Sequence, residues 1–170
     1  MINQLSTNGI ENIIPSFKLP DGTFVRCNFF DTNGTTKFKI VNEPYYKKVD
    51  GCIIIYDITN QKSFDEIEEF FIPQIQEKCK ENIPVFILGN KSDLKDERII
   101  SAEQGNQLAS KYNYIFEEIS SVQYLNMNDI FQNIIRTIKI YVEKRDNYEY
   151  NNIDDISIRR MEDRKCRGCC

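Results

Sequence analysis

Ile87-Leu88-Gly89-Asn90-Lys91-Ser92-Asp93 joins an uninterrupted apolar run to a polar turn. A short apolar run of this kind, opened by Pro84, reads as a strand buried on both faces. Upstream, Gly51-Cys52-Ile53-Ile54-Ile55-Tyr56-Asp57 has the same character and is read in the same way, with Asp57 at its polar end. Between the two, Phe64, Ile67, Phe71 and Ile75 recur at helical spacing, which predicts an amphipathic helix over 61–80. A further helix is expected over 101–112 with Ser101 as its N-cap. A strand is expected over 114–118, and Ile130, Ile134, Ile138 and Val142 mark a last helix. Strands alternating with helices imply an α/β fold with a mostly parallel sheet covered on both faces.

Before residue 51 the pattern changes. Residues 13–19 and 23–30 read as two strands around Pro20-Asp21-Gly22, a hairpin turn. Residues 31–50 are polar and irregular. From about Lys144 the periodicity dissolves into charged and Asn-rich sequence, so 1–143 is read as the domain and 144–170 as a flexible tail.

Composition narrows the function classes. The 170 residues suffice for one domain. A net charge of −4 argues against nucleic acid as a main partner, since nothing neutralises a row of phosphates. No run reaches the roughly 18 apolar residues of a membrane-spanning helix, and residues 1–6 do not resemble a signal peptide. The chain contains no histidine, which removes the commonest general base and every His-ligated metal site. Cys27, Cys52 and Cys79 lie singly in apolar stretches and read as small buried hydrophobes.

Asn90-Lys91-Ser92-Asp93 carries the chemistry. A carboxylate placed after a strand end can accept from two adjacent N–H donors at once, and guanine alone among the common bases presents such a pair. A surface turn capped by its own Asp is the alternative. Several other stretches agree with the first reading. Asp31-Thr32-Asn33-Gly34 resembles the DTAG motif, Tyr45-Tyr46 matches paired tyrosines, and Tyr56-Asp57-Ile58-Thr59 is followed by Ser63-Phe64. Ser120-Ser121-Val122 stands where Ser-Ala-Lys is usual, Ser6-Thr7-Asn8-Gly9-Ile10 resembles switch I, and Cys169-Cys170 ends the chain. Together these resemble a small GTPase of the Ras superfamily, in its Rab branch.

That resemblance implies a Ras-like P-loop GTPase fold and a regulator of intracellular vesicle traffic that binds GTP or GDP with Mg²⁺. It implies that Asp93 reads the guanine edge, Lys91 lies along the ring, Asn90 braces the loop, and the amides of Ser120 and Ser121 face the guanine oxygen. Asp31 and Thr7 would hold the metal, and Gly34 would meet the terminal phosphate. Cys169 and Cys170 would be geranylgeranylated, because two chains anchor stably where one is marginal. Arg159, Arg160, Arg164, Lys165 and Arg167 would add attraction to anionic lipid. The implied location is the cytosolic face of an intracellular or plasma membrane. Implied partners are guanine nucleotide and escort, exchange and effector proteins, with no nucleic acid. The C-terminal Cys166-x-x-Cys169 spacing also admits a redox pair or half a zinc site.

The sequence also departs from the family. No GxxxxGK[ST] occurs: the glycines stand at 9, 22, 34, 51, 89, 105 and 168. That loop supplies the amide nest, the lysine and the hydroxyl that hold phosphate and Mg²⁺. The domain is therefore expected to lack the first strand, P-loop and first helix, with two sheet edges left facing each other and prone to aggregation. Nucleotide affinity is expected to fall to about millimolar, since two or three charged hydrogen bonds must offset the cost of association. Thr35 occupies the position of the water-orienting glutamine and is too short for that role, so hydrolysis is expected to be impaired. Two readings stay open: a GTP switch whose coding sequence continues upstream, and a catalytically dead pseudo-GTPase acting as a prenylated binding module.

Overall fold

The computed structural model describes residues 11–31, 43–123 and 127–152. Its centre is a three-stranded parallel sheet of β5 (Cys52–Asp57), β6 (Val85–Asn90) and β7 (Ile115–Glu118), in the order β5-β6-β7. The register pairs Ile54 with Ile87 and Asp57 with Asn90, so both strands deliver polar residues to the same end. Residues 85–89 of β6 are buried throughout, as the apolar run requires. β5 departs from the expectation of burial on both faces. Ile54 and Tyr56 are buried, while Ile55 is 55% exposed. Among the described residues β5 is hydrogen-bonded on one side alone, so Ile55 lacks a neighbouring strand's side chains beside it on that edge.

Helices pack on both faces. Ile54, Tyr56 and Ile87 meet Ile67, Ile72, Ile75, Leu108 and Ala109 on one side. On the other, Phe86 and Leu88 meet Ile130 and Ile134 of α5 (Met127–Asn152). The helix expected over 61–80 is divided into α2 (Gln61–Glu66), a π-helical stretch Ile67–Phe71, and α3 (Ile72–Lys78). Pro73 accounts for the division. Its ring would clash with the carbonyl four residues back, and it has no N–H to donate. The wider turn ahead of it relieves the crowding, with the Ile72 N–H donating to the Ile67 carbonyl. Asn60 is the N-cap of α2: its side chain accepts from the Ser63 N–H.

α4 (Ala102–Lys111) begins with the expected cap at Ser101, in a reciprocal capping box with Gln104. α5 continues past 143 to Asn152. Residues 144–152 carry no apolar stripe, but Glu, Lys and Arg are good helix formers, and Arg145 fastens this part of the helix to Asp50.

The N-terminal strands form a hairpin, in two short ladders where continuous strands are expected. β1 (Glu11–Ile13) pairs with β4 (Phe29–Asp31), and β2 (Ser16–Lys18) with β3 (Phe24–Arg26). Pro15 interrupts the ladder because it has no N–H to contribute. Its carbonyl still accepts from the Cys27 N–H at 3.0 Å. Gly22, at φ +85, closes the turn, with its N–H on the Leu19 carbonyl at 2.9 Å. Phe30 meets Tyr45 of α1 (Glu43–Tyr46), ring centroids 4.7 Å apart, so the first of the paired tyrosines is a packing aromatic.

Candidate functional site

The polar ends of β5 and β6 and the loop after β7 converge. The Ile58 N–H donates to the Asn90 carbonyl at 3.1 Å, and the Ile119 N–H to Gly89 at 2.8 Å. The Ser92 N–H reaches the Ile119 carbonyl at 3.1 Å, stitching the Asn-Lys-x-Asp turn to the second loop. Asn90 braces both: its Oδ1 accepts from the Lys91 N–H at 2.8 Å and from the Ser121 N–H at 3.2 Å. Lys91 takes φ +68, a left-handed conformation uncommon for a side chain of its size. The Asn90 side chain is what holds it there.

Ser120 is fully buried. Its hydroxyl donates to Asp93 Oδ1 at 2.5 Å and accepts from the Gln123 N–H at 3.1 Å. Asp93 Oδ2 accepts from nothing among the described residues. The carboxylate is thus fixed by one oxygen and open at the other, able to receive a pair of adjacent N–H donors. Val122, where a lysine is usual, is 73% exposed and makes no wall.

Asp57 is the residue that sequence reasoning undervalued. Its Oδ2 lies 2.5 Å from Lys91 Nζ, while Oδ1 accepts from the Thr59 N–H at 2.9 Å and the Thr59 hydroxyl at 2.7 Å. Burial opposes its ionisation, but the Lys91 ammonium and the two Thr59 donors outweigh that and hold the carboxyl below its ordinary range. Two equal-length apolar runs ending in Asp57 and Asn90 were the available signal, since parallel pairing brings their last residues together.

Asn90, Lys91, Asp93, Ser120 and Ser121 are therefore brought into one hydrogen-bonded unit. Asp31 is exposed at the end of β4 in the hairpin and makes no hydrogen bond to that unit among the described residues. Thr7, Gly34, Thr35, Cys169 and Cys170 lie outside the described residues. An acidic groove lined by Phe64, Asp65, Glu68, Glu69 and Leu108 shares no residue with the unit. No described helix is long and apolar enough to cross a membrane.

A parallel sheet whose strand ends carry this pair of clasped loops defines an α/β nucleotide-binding domain. The family model described as "Ras family" matches residues 2–140. Over 141 residues the chain is 36% identical to Ras-related protein Rab-8A of Bos taurus, covering 83% of this chain and 67% of that protein. It is 31% identical over 169 residues to the GTP-binding protein ypt2 of Schizosaccharomyces pombe, covering 98% and 81%. Ras-related protein Rab-8B of Bos taurus is 35% identical over 143 residues, covering 84% and 68%. The chain belongs to the Ras family, as a Rab-like small GTPase.

Proposed function

We propose that the chain is a Rab-type regulator of vesicle traffic that reads guanine through Asp93. The observation carrying this is the circuit in which Ser120 fixes one Asp93 oxygen while Asn90 ties the two loops together. The open oxygen and the remaining lone pair on the first would take the guanine N1–H and N2–H₂. Each such charge-assisted bond contributes about 1.5–3 kcal/mol. The Ser121 amide is already engaged by Asn90, so the guanine oxygen would be met by rotation of that amide or by its neighbour. Lys91 would lie along the ring from its position beside Asp57.

Asp31 and Thr7 would hold Mg²⁺, which would shield phosphate charge, and Gly34 would donate its amide to the terminal phosphate. Of these, Asp31 alone is described, an exposed carboxylate suited to contact through water. Within these 170 residues no GxxxxGK[ST] serves the phosphates. Base contacts alone hold nucleotide at about millimolar affinity. Cys169 and Cys170 would carry geranylgeranyl groups that place the protein on a cytosolic membrane face, where escort, exchange and effector proteins would meet it.

Titrating the full chain with GDP and ADP, read by amide shifts in NMR, tests the base site. GDP is expected to move the amides of residues 90–93 and 120–121, with no response to ADP at the same concentration. Equal responses, or none, contradict the reading. Thr35 favours a second reading, a prenylated module that binds without turnover. GTP hydrolysis above that of buffer excludes it.

A further inference from the structure

Cys52 opens β5, and Cys79 is the C-cap of α3, 27 residues later. The sequence alone suggests two unrelated apolar thiols, yet their Sγ atoms are 3.8 Å apart. Both are half-buried, against the core and beside Tyr46 and Tyr114. The corner is held together independently of sulfur. Lys80 Nζ is 3.0 Å from Asp50 Oδ1, and Arg145 of α5 pairs with the same oxygen. A disulfide has an S–S length of about 2.05 Å, so closure asks each sulfur to move by about 0.9 Å. Cys79 has already left the helix, at φ −80 and ψ 164, and can turn toward the strand without breaking a helical ladder.

We propose that Cys52 and Cys79 form a two-thiol oxidation site that takes a peroxide as its oxidant and closes reversibly to a disulfide between β5 and α3. Cys79 is the attacking group. Either thiol can donate across the 3.8 Å contact. With the Cys52 S–H as donor, the Cys79 thiolate is favoured over the opposing effect of burial, and the same donation together with burial pushes the Cys52 thiol up. The Cys79 thiolate attacks one peroxide oxygen, the O–O bond breaks, and water leaves after protonation, giving a sulfenic acid. The Cys52 sulfur then attacks the sulfenic sulfur, its proton and the hydroxyl departing as a second water. Two thiols are oxidised by two electrons and one hydrogen peroxide is reduced to two waters. The new bond closes a loop containing α2, the π-helical stretch and α3. It lies at the start of β5, while Asp57 and the base-reading loops lie at the opposite strand ends. Oxidation is therefore expected to raise the unfolding temperature and leave the base site unchanged.

The test is peptide mapping of the full chain after hydrogen peroxide treatment and alkylation of remaining thiols. A cross-linked peptide pair containing Cys52 and Cys79, lost on treatment with dithiothreitol, is expected, with Cys27 still alkylated. Cys52→Ser is expected to leave a sulfenic acid on Cys79 that dimedone captures. The wild-type map decides the matter even where that variant fails to fold. Alkylation of both thiols, over-oxidation of Cys79 without a cross-link, or cross-links from either to Cys166, Cys169 or Cys170 overturns the proposal.

Discussion

The hairpin of residues 11–31 and the sheet of residues 52–118 bury their apolar residues to very different extents. Among the hairpin residues whose side chains are described, Leu19 alone is buried, and Ile13, Ile14 and Phe24 are 52%, 46% and 72% exposed. In the sheet, Ile58, Ile87 and Leu88 are at 0%. Hydrophobic stabilisation scales with area removed from water, so the sheet and its helices hold the fold while the hairpin is carried by it. The Asn90–Asp93 turn grows from β6, the most buried of the described strands, and is clasped to the loop after β7. Positional precision follows burial: Asn90 and Asp93 are set by a packed strand end, whereas Asp31 ends a strand that, among the described residues, pairs with β1 alone.

Core truncation should show the largest contrast. Leu88→Ala is expected to cost about 2–5 kcal/mol, as for other fully buried leucines. Phe17→Ala, on the half-buried face of β2, should cost less than half as much in urea unfolding. Equal losses would erase the distinction between the regions.

Glycine substitutions sharpen the same comparison by mechanism. A Cβ at Gly105 in α4 would stand 2.4 Å from the Phe116 ring and 2.7 Å from the Tyr56 hydroxyl. Gly105→Ala should therefore cost about 1–3 kcal/mol through overpacking, despite the better helix propensity of alanine. At Gly22 nothing lies within 4 Å, but φ is +85. There Gly22→Ala is expected to cost about 1–2 kcal/mol from backbone conformation alone. A crystal structure of Gly105→Ala should show Phe116 displaced, and unmoved neighbours would refute the steric account.

Tyr56 offers a smaller effect of opposite sign. Its hydroxyl is buried and lacks a partner among the described residues. Burial, with the nearby Glu118 carboxylate, pushes its pKa up to about 12. Tyr56→Phe removes an unsatisfied polar atom, so stability is expected to be unchanged or raised by up to about 1 kcal/mol. A loss above that would reveal a hydrogen bond at this position.

Acid sensitivity should be the mildest probe. Burial raises the Asp50 and Asp57 carboxyls, but Arg145 and Lys80 around Asp50, and Lys91 and Thr59 around Asp57, bring both below 3.8. Their contribution is full above the unfolded carboxylate value and fades as pH falls through the lowered folded values. Stability should drop more steeply below about pH 4 in the wild type than in Asp57→Asn, by no more than about 1 kcal/mol for a pair this exposed. Identical acid limbs would show the Lys91 pair to be without effect.

Much of the sheet was legible, because apolar runs bounded by Asp57 and Asn90 carry their own strand signal. So was Ser101 as a cap, whereas the bracing by Asn90 was implied by the family resemblance and not by the residues alone. The π-helical stretch ahead of Pro73 is not encoded in the helical periodicity, since periodicity reports spacing and not the hydrogen bonds behind it. The exposure of Ile55 depends on which neighbours a strand has, which no local pattern encodes. The Cys52–Cys79 contact and the Asp57–Lys91 pair are tertiary meetings of residues 27 and 34 positions apart. They become visible only once the parallel register is known.

The proposed base site depends on whether Asp93, anchored at a strand end, accepts from guanine. The most direct measurement is the ratio of GDP to IDP affinity in wild type and Asp93→Ala, because IDP lacks the N2 amino group alone. The wild-type chain is expected to favour GDP by about 10-fold or more, one charged hydrogen bond, and the ratio should fall to about 1 in the variant. A wild-type ratio near 1, or one that survives loss of the carboxylate, would contradict it.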